Sequence, residues 1–451
     1  MQFITLLDYL LLPIYIFLIY IIATFIRDKY YPIGHPWRQY FMSGLYVKLI
    51  GAFLIGLVYQ YYYGGGDTAH YFYHSQIVGE ALFNEPQKGF AILFHIPGPY
   101  DAEYYMYLSR MEWYFGMNMF MVIQIATVIN FFTFFTFLPT SLIFASICYT
   151  GVWALFRTFA RMYPQYLRQV AITMLFIPTS YMWGSGIFKD TLCIFALGWL
   201  TFSTFNILIK GKLSIESVIL FLLSFYILFV VKKYILLAFL PSIALWIVFV
   251  YATKIKNKSI RFLIKPFLLV ITLISFVLIS NQFSEELEGY SIDKIAETAE
   301  TTRSYVMGES DKVDGSSYDL GEIDPSLFGL VKVFPKALLN ALYGPFLWQS
   351  KKIIIFFNAI EASIFLYVTI KILIVVGFKN IRKIVSEDPT LQFFLTFVII
   401  FGFAVGLTSG NYGSLSRYRI PMMPFFGLSL CLIYYKSGKA NYKYLFKPFK
   451  F

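Results

Sequence analysis

The chain has 451 residues, of which 58% are hydrophobic and only 14% charged, against about 25% charged in an average soluble domain. That balance argues against a soluble globular protein. The net charge of +12 does not point to nucleic acid either, because Lys and Arg stand in short clusters between apolar runs, as membrane orientation signals do.

Taken in chain order, the first apolar run, Ile4–Ile26, exceeds the roughly 7–15 residues of a signal-peptide core. It lacks a basic leader and a small-residue cleavage site, so it reads as a retained anchor. A second run covers Ser43–Tyr61. A polar stretch, Tyr62–Gly116, follows and is predicted to form a large outer loop. Met117–Phe137 is predicted to be an interfacial or re-entrant helix, with Leu138–Phe156 making the crossing. Further runs are Gln169–Trp183, Thr191–Ile209, Ile215–Val231, Tyr234–Tyr251 and Pro266–Ser280. A second outer loop, Gln282–Ser350, is acidic, and its centre at Thr298–Glu322 is polar and rich in Gly and Ser. The runs Ile353–Gly377, Leu391–Thr408 and Pro421–Tyr435 complete the chain. A spanning helix needs about 20 apolar residues, so the fold class predicted is all-α: one polytopic transmembrane bundle over residues 1–451 with about eleven spans and two large extracytoplasmic loops. Cys148, Cys193 and Cys431 all fall within apolar runs, which argues against a disulfide framework or a zinc site built on them.

Orientation follows from the basic clusters. With the N-terminus outside, Arg27, Lys29 and Arg38 face the cytoplasm. So do Arg157, Arg161 and Arg168, then Lys210 and Lys212, Lys254–Lys265, Lys379–Lys383 and the tail from Lys436. The expected location is a bacterial inner (cytoplasmic) membrane, with the C-terminus cytoplasmic. No internal repeat is visible, which weighs against an inverted-repeat transporter.

Four places carry residues able to do chemistry. The first is Tyr62–His74, where Gly64, Gly65 and Gly66 precede Asp67, His70 and His74. Spacings of i, i+3 and i+7 put the last three on one helical face. Asp67 reads either as an N-cap after a glycine turn or as a catalytic carboxylate. His70 and His74 read as interfacial aromatics or as substrate- or metal-binding groups. A divalent metal there would need a third ligand, which Asp101 or Glu103 could supply. The second place is the Trp183–Asp190 turn, with Lys189 and Asp190 either as a local ion pair and helix cap or as contacts to an anionic substrate. The third is Ser409–Pro421, where Arg417 and Arg419 stand on the expected outer side, against the charge rule, beside a Gly/Ser/Asn turn suited to phosphate. The fourth is Glu361, about two turns inside an apolar run, with Asn358 one turn earlier. It reads as a structural hydrogen-bonding group or as part of a site.

The stretch Asn411–Pro424, with its Arg-Tyr-Arg-x-Pro-x-x-Pro core, and the acidic residue Asp67 close to a helix end in the first large outer loop resemble the GT-C class of integral membrane glycosyltransferases. The likeness is one of layout over most of the chain. The Gly184–Asp190 turn is similar to the short loop of that class carrying Lys or Arg beside an acid. The chain departs from the pattern in placing the loop after its second span, and Asp67 is followed by Thr68 rather than a second acid. The resemblance implies a polyprenyl-phosphate-linked sugar as donor and an envelope glycan or glycolipid as acceptor. It implies Asp67 as general base, with Arg417, Arg419 and Lys189 on the lipid phosphate. Asp67, His70, Lys189 and Arg417, though distant in sequence, are expected to line one outward-facing cavity. The alternatives are an O-antigen-type polymerase or ligase, a lipid or polysaccharide transporter (flippase), and a structural subunit of an envelope complex.

Overall fold

The computed structural model describes residues 2–98, 101–255, 299–305, 308, 317–318, 320–321, 324 and 327–439. Among them the chain is helical, with a single isolated bridge between Ser317 and Asn411 and no strand. The predicted span Pro266–Ser280, most of the acidic loop and the basic tail beyond Lys439 lie outside the described residues.

The helices are α1 (Leu6–Tyr30), α2 (Arg38–Leu57), α3 (Asp67–Asn84), α4 (Pro86–Leu93), α5 (Tyr105–Leu108), α6 (Met117–Asn130), α7 (Phe137–Met162), α8 (Leu167–Leu175), α9 (Pro178–Trp183), α10 (Lys189–Thr204), α11 (Ile215–Val231) and α12 (Lys233–Ala252). They continue as α13 (Leu327–Tyr343), α14 (Ile353–Val376), α15 (Phe378–Glu387), α16 (Pro389–Thr408), α17 (Tyr412–Tyr418) and α18 (Met423–Lys436). Among the described residues, seven helical stretches are long and apolar enough to cross a membrane: Leu6–Tyr30, Arg38–Tyr62, Phe137–Met162, Lys189–Ile209, Lys233–Ala252, Ile353–Val376 and Pro389–Thr408. The other predicted spans among the described residues are shorter or interrupted. Gln169–Trp183 is broken between α8 and α9, where Ile177 precedes Pro178 and that residue is pushed away from helical backbone angles. At 14 residues each, α6 and α18 reach about 21 Å, short of a hydrocarbon core of about 30 Å. The stretch read as a first outer loop is itself largely helical, and the far end of the second contains α13.

The chain divides into two compact units. One comprises 1–162, 180–205 and 213–232, the other 163–179, 206–212 and 233–451.

In the first unit α7 packs against α10, α2 and α1, and α10 against α11. Gly151 of α7 and Gly198 of α10 lie backbone to backbone, so that a Cβ on Gly198 would land on the Gly151 carbonyl. Such small-residue contacts are how apolar helices approach closely in lipid. Asp8, 1% exposed, joins α1 to α7. Its carboxylate accepts from the Thr5 N–H and hydroxyl at 2.8 Å and from the Leu138 N–H at 2.8 Å, capping the first turns of both helices. Only 17% of the apolar window of α1 is buried, leaving its leucines, isoleucines and phenylalanines to face lipid.

In the second unit α16 is central, packed by α12, α13 and α18. Phe239, Phe393, Phe397 and Phe425 form an aromatic core with ring centroids 5.1–6.2 Å apart. Asp388 caps α16 through the Thr390 and Leu391 N–H groups. It also accepts from the Tyr163 hydroxyl at 2.8 Å and the Lys436 ammonium at 2.5 Å.

Candidate functional site

The Asp67 cavity is built by the way α2 ends. Its last turn, Val58–Tyr62, widens to a π-helix, and the chain then passes through Gly64, Gly65 and Gly66 at φ values of +70°, +146° and +118°. Side-chain-bearing residues rarely adopt such angles. A Cβ on Gly66 would also meet the Tyr59 ring at 2.8 Å. Gly66, and not Asp67, is therefore the N-cap of α3, and Asp67 is its first helical residue. That corrects the capping reading: the backbone angle at the cap admits glycine, and the carboxylate sits one residue later, where the helix dipole favours its charge. Tyr59, Tyr63, Gly64–Gly66, Asp67, Ala69 and His70 line an open cavity of about 570 Å³.

The i, i+3, i+7 face of α3 holds in space. His70 lines the cavity, and His74 lies one turn behind it at 2% exposure. Trp113 packs against both, with ring centroids 5.1 Å from His70 and 5.7 Å from His74. Burial, reinforced by the neighbouring His70, pushes His74 down to about 4, so its ring is neutral at physiological pH. Its Nδ1 is buried with no hydrogen-bond partner. The two histidines acquire no third ligand: no group of three or more His, Cys, Asp or Glu gathers among the described residues. Asp101 instead accepts from the Glu103 backbone N–H in an exposed turn.

Lys189 and Asp190 belong to the same unit, in the first turn of α10. Lys189 is half-buried. Asp190, 1% exposed, is ion-paired with Lys232 at the C-cap of α11, which is itself 7% exposed. The short hairpin between α10 and α11 brings an acidic helix start against a basic helix end, a pairing that both dipoles favour. In the same unit Lys48, 3% exposed and about 15 Å along α2, donates to the Gly184 carbonyl in the turn before α10.

Glu361, Arg417 and Arg419 lie in the second unit. Glu361 accepts from the Thr179 N–H at 2.7 Å and the Thr179 hydroxyl at 2.5 Å, and the Arg419 guanidinium stands 3.8 Å away. Arg419 is 0% exposed and donates through Nη1 to the Gly344 carbonyl at 2.5 Å. Arg417, two residues earlier, is half-buried, because i and i+2 do not share a helix face. The described part of the acidic loop reaches this segment: the Tyr318 N–H donates to the Gly410 carbonyl and its hydroxyl to the Gly406 carbonyl at 2.7 Å.

No protein-family model, curated protein or solved structure matches this chain. Its functional reading therefore rests on residues and geometry. Sequence reasoning passed over Lys48, Trp113 and Lys232. Lys48 stood inside an apolar run, where the rarity of buried ammonium groups was a usable signal. Lys232 stands with Lys233 between two apolar runs, where a basic pair is the usual mark of a span boundary and gives no sign of a buried partner.

Proposed function

We propose that this protein is a membrane-embedded glycosyltransferase, moving a sugar from a polyprenyl-phosphate donor to an envelope glycan or lipid acceptor on the extracytoplasmic side. The observation that carries this reading is the Asp67 cavity. A carboxylate at a helix start opens onto a space of about 570 Å³ bounded by glycine backbone and by Tyr59, Tyr63 and His70. That volume falls within the ~300–1,000 Å³ of ordinary small-molecule sites. Glycine backbone admits a bulky ligand closely, and tyrosine rings offer the apolar faces and hydroxyls that a sugar ring uses.

In the proposed reaction the Asp67 carboxylate takes the proton of an acceptor hydroxyl as that oxygen attacks the anomeric carbon of the donor. The bond from that carbon to the phosphate oxygen breaks, and its electron pair leaves on the polyprenyl phosphate. Arg419 faces Glu361 and backbone carbonyls and is assigned to holding the Ser409–Pro421 turn. The test supplies purified protein with polyprenyl-phosphate sugars and isolated envelope glycolipids and follows the acceptor by mass. Asp67→Asn, with an unchanged unfolding midpoint, is expected to lower transfer by about 10²–10⁴-fold. Undiminished transfer removes Asp67 as the base, and no transfer from any lipid-linked sugar by the unaltered protein removes the reading.

A second reading, transport of a lipid or polysaccharide, is favoured by the buried ionic groups at Lys48, Asp190–Lys232 and Glu361–Arg419. It predicts substrate movement across sealed vesicles that survives Asp67→Asn.

A further inference from the structure

At the opposite end of α2 from Asp67 lies a second cavity, of about 520 Å³, which neither reading of the function uses. Arg27, Gly34, His35, Pro36, Arg38, Gln39 and Met42 line it, all within the first unit. We propose that this cavity, where the end of α1 meets the start of α2, binds a phosphate-ester anion, the headgroup of an anionic membrane lipid or a free phosphate of the same chemistry.

The charge at the cavity is unbalanced toward cation. Arg27 and Arg38 share one carboxylate, Asp28, whose Oδ1 lies 2.8 Å from Arg27 Nε and 2.7 Å from Arg38 Nη2. Two guanidiniums against one carboxylate leave a formal +1, with Lys29 adjacent in sequence. Asp28 also orients the guanidiniums. It binds Arg27 through Nε, and neither terminal nitrogen of Arg27 has a hydrogen-bond partner among the described residues. Arg38 is fixed further by donating from Nη1 to the Tyr31 carbonyl at 2.7 Å. A guanidinium held through Nε keeps its terminal fork available for two oxygens of one phosphate. His35 adds a donor. Its Nδ1 accepts the Trp37 N–H at 3.1 Å, which places the proton of the neutral ring on Nε2. The Gln39 side chain is exposed at the rim, and the first turn of the 20-residue α2 contributes the positive end of its dipole.

The surroundings favour a lipid as the source of the phosphate. The cavity sits where two membrane-length helices end, the depth at which headgroups lie. Beside it Tyr30, at the end of α1, is 62% exposed, and Ile33 in the connecting turn is 92% exposed. These residues offer an apolar surface along which acyl chains can run while the phosphate is held at the arginines.

The test is native mass spectrometry of the delipidated full chain in detergent, titrated separately with phosphatidylglycerol, phosphatidylcholine and inorganic phosphate. The expected result is phosphatidylglycerol retained at least about tenfold more tightly than phosphatidylcholine, since one charge-assisted contact is a factor of that order. Arg27→Gln removes the fork, and Gln39→Glu puts a carboxylate at the rim without touching the Arg38 tie to Tyr31. Each is expected to weaken phosphatidylglycerol about tenfold, leave phosphatidylcholine unchanged and keep the unfolding midpoint. Millimolar inorganic phosphate that displaces phosphatidylglycerol identifies a site for bare phosphate, and failure to displace it identifies the lipid ester. Either outcome supports the site. Equal retention of the two lipids, or phosphatidylglycerol binding unaltered in both variants, overturns it. The experiment reads no glycosyl transfer, so its outcome is independent of the catalytic proposal.

Discussion

The Asp190–Lys232 pair allows a stability prediction with a definite pattern. The two side chains are 1% and 7% exposed, so each ion has little water to fall back on. Asp190→Asn leaves the Lys232 ammonium buried at the end of α11 without its counterion. Loss of one partner of a buried ion pair costs about 3–5 kcal/mol, because the remaining charge is uncompensated. The carbonyl ends of α11 still favour the ammonium and return about 0.5–1 kcal/mol. The expected loss for Asp190→Asn is therefore roughly 2–4 kcal/mol. Lys232→Met is expected to cost a similar amount by stranding the carboxylate, softened by the N-terminal dipole of α10. The double variant, with neither charge, is expected to lie within about 1 kcal/mol of the unaltered protein, since apolar replacement of a whole buried pair is often neutral. The cycle then gives a coupling of roughly 4–8 kcal/mol, the sum of the two single losses less the small loss of the double variant. Unfolding of the four proteins in one detergent, followed by tryptophan fluorescence against denaturant, measures it. Additive single losses, or singles within about 0.5 kcal/mol of the parent, would refute the reasoning that the pair is buried and mutually neutralising.

The remaining predictions concern protonation and packing. His74, held near 4 when folded against 6.5 when exposed, binds a proton in the unfolded chain first, so stability rises with pH between about 4 and 6.5 and is flat above. The span of roughly 2.5 units corresponds to about 3 kcal/mol, and the difference in unfolding between the parent and His74→Phe across pH 4–7 should show that slope, absent in the variant. At the α7–α10 contact, Gly198→Val drives side-chain atoms into the Gly151 backbone and should cost more than about 3 kcal/mol. Gly98→Ala, with open space around the added carbon, should stay within about 0.5 kcal/mol in the same unfolding assay.

Composition and the length of the apolar runs were enough to place the chain among membrane proteins and to give an all-helical fold. Hydrophobic burial in lipid is a property of each segment by itself, and seven of the predicted runs became helices of spanning length. The face of α3 carrying Asp67, His70 and His74 was equally local, since a 3.6-residue period needs no tertiary partner. Tertiary structure decided what those residues meet. Trp113 and the burial that neutralises His74 come from a different stretch of chain. Lys232 reaches Asp190 because the hairpin of α10 and α11 folds back on itself, and Arg419 faces Glu361 because α14 passes close by. Asp28 likewise joins Arg27 to Arg38 because the turn between α1 and α2 closes. A charge in sequence announces that it needs a partner, whereas which partner it finds depends on distances between helices, and those are set by the packing of glycines and aromatic rings that no single segment encodes.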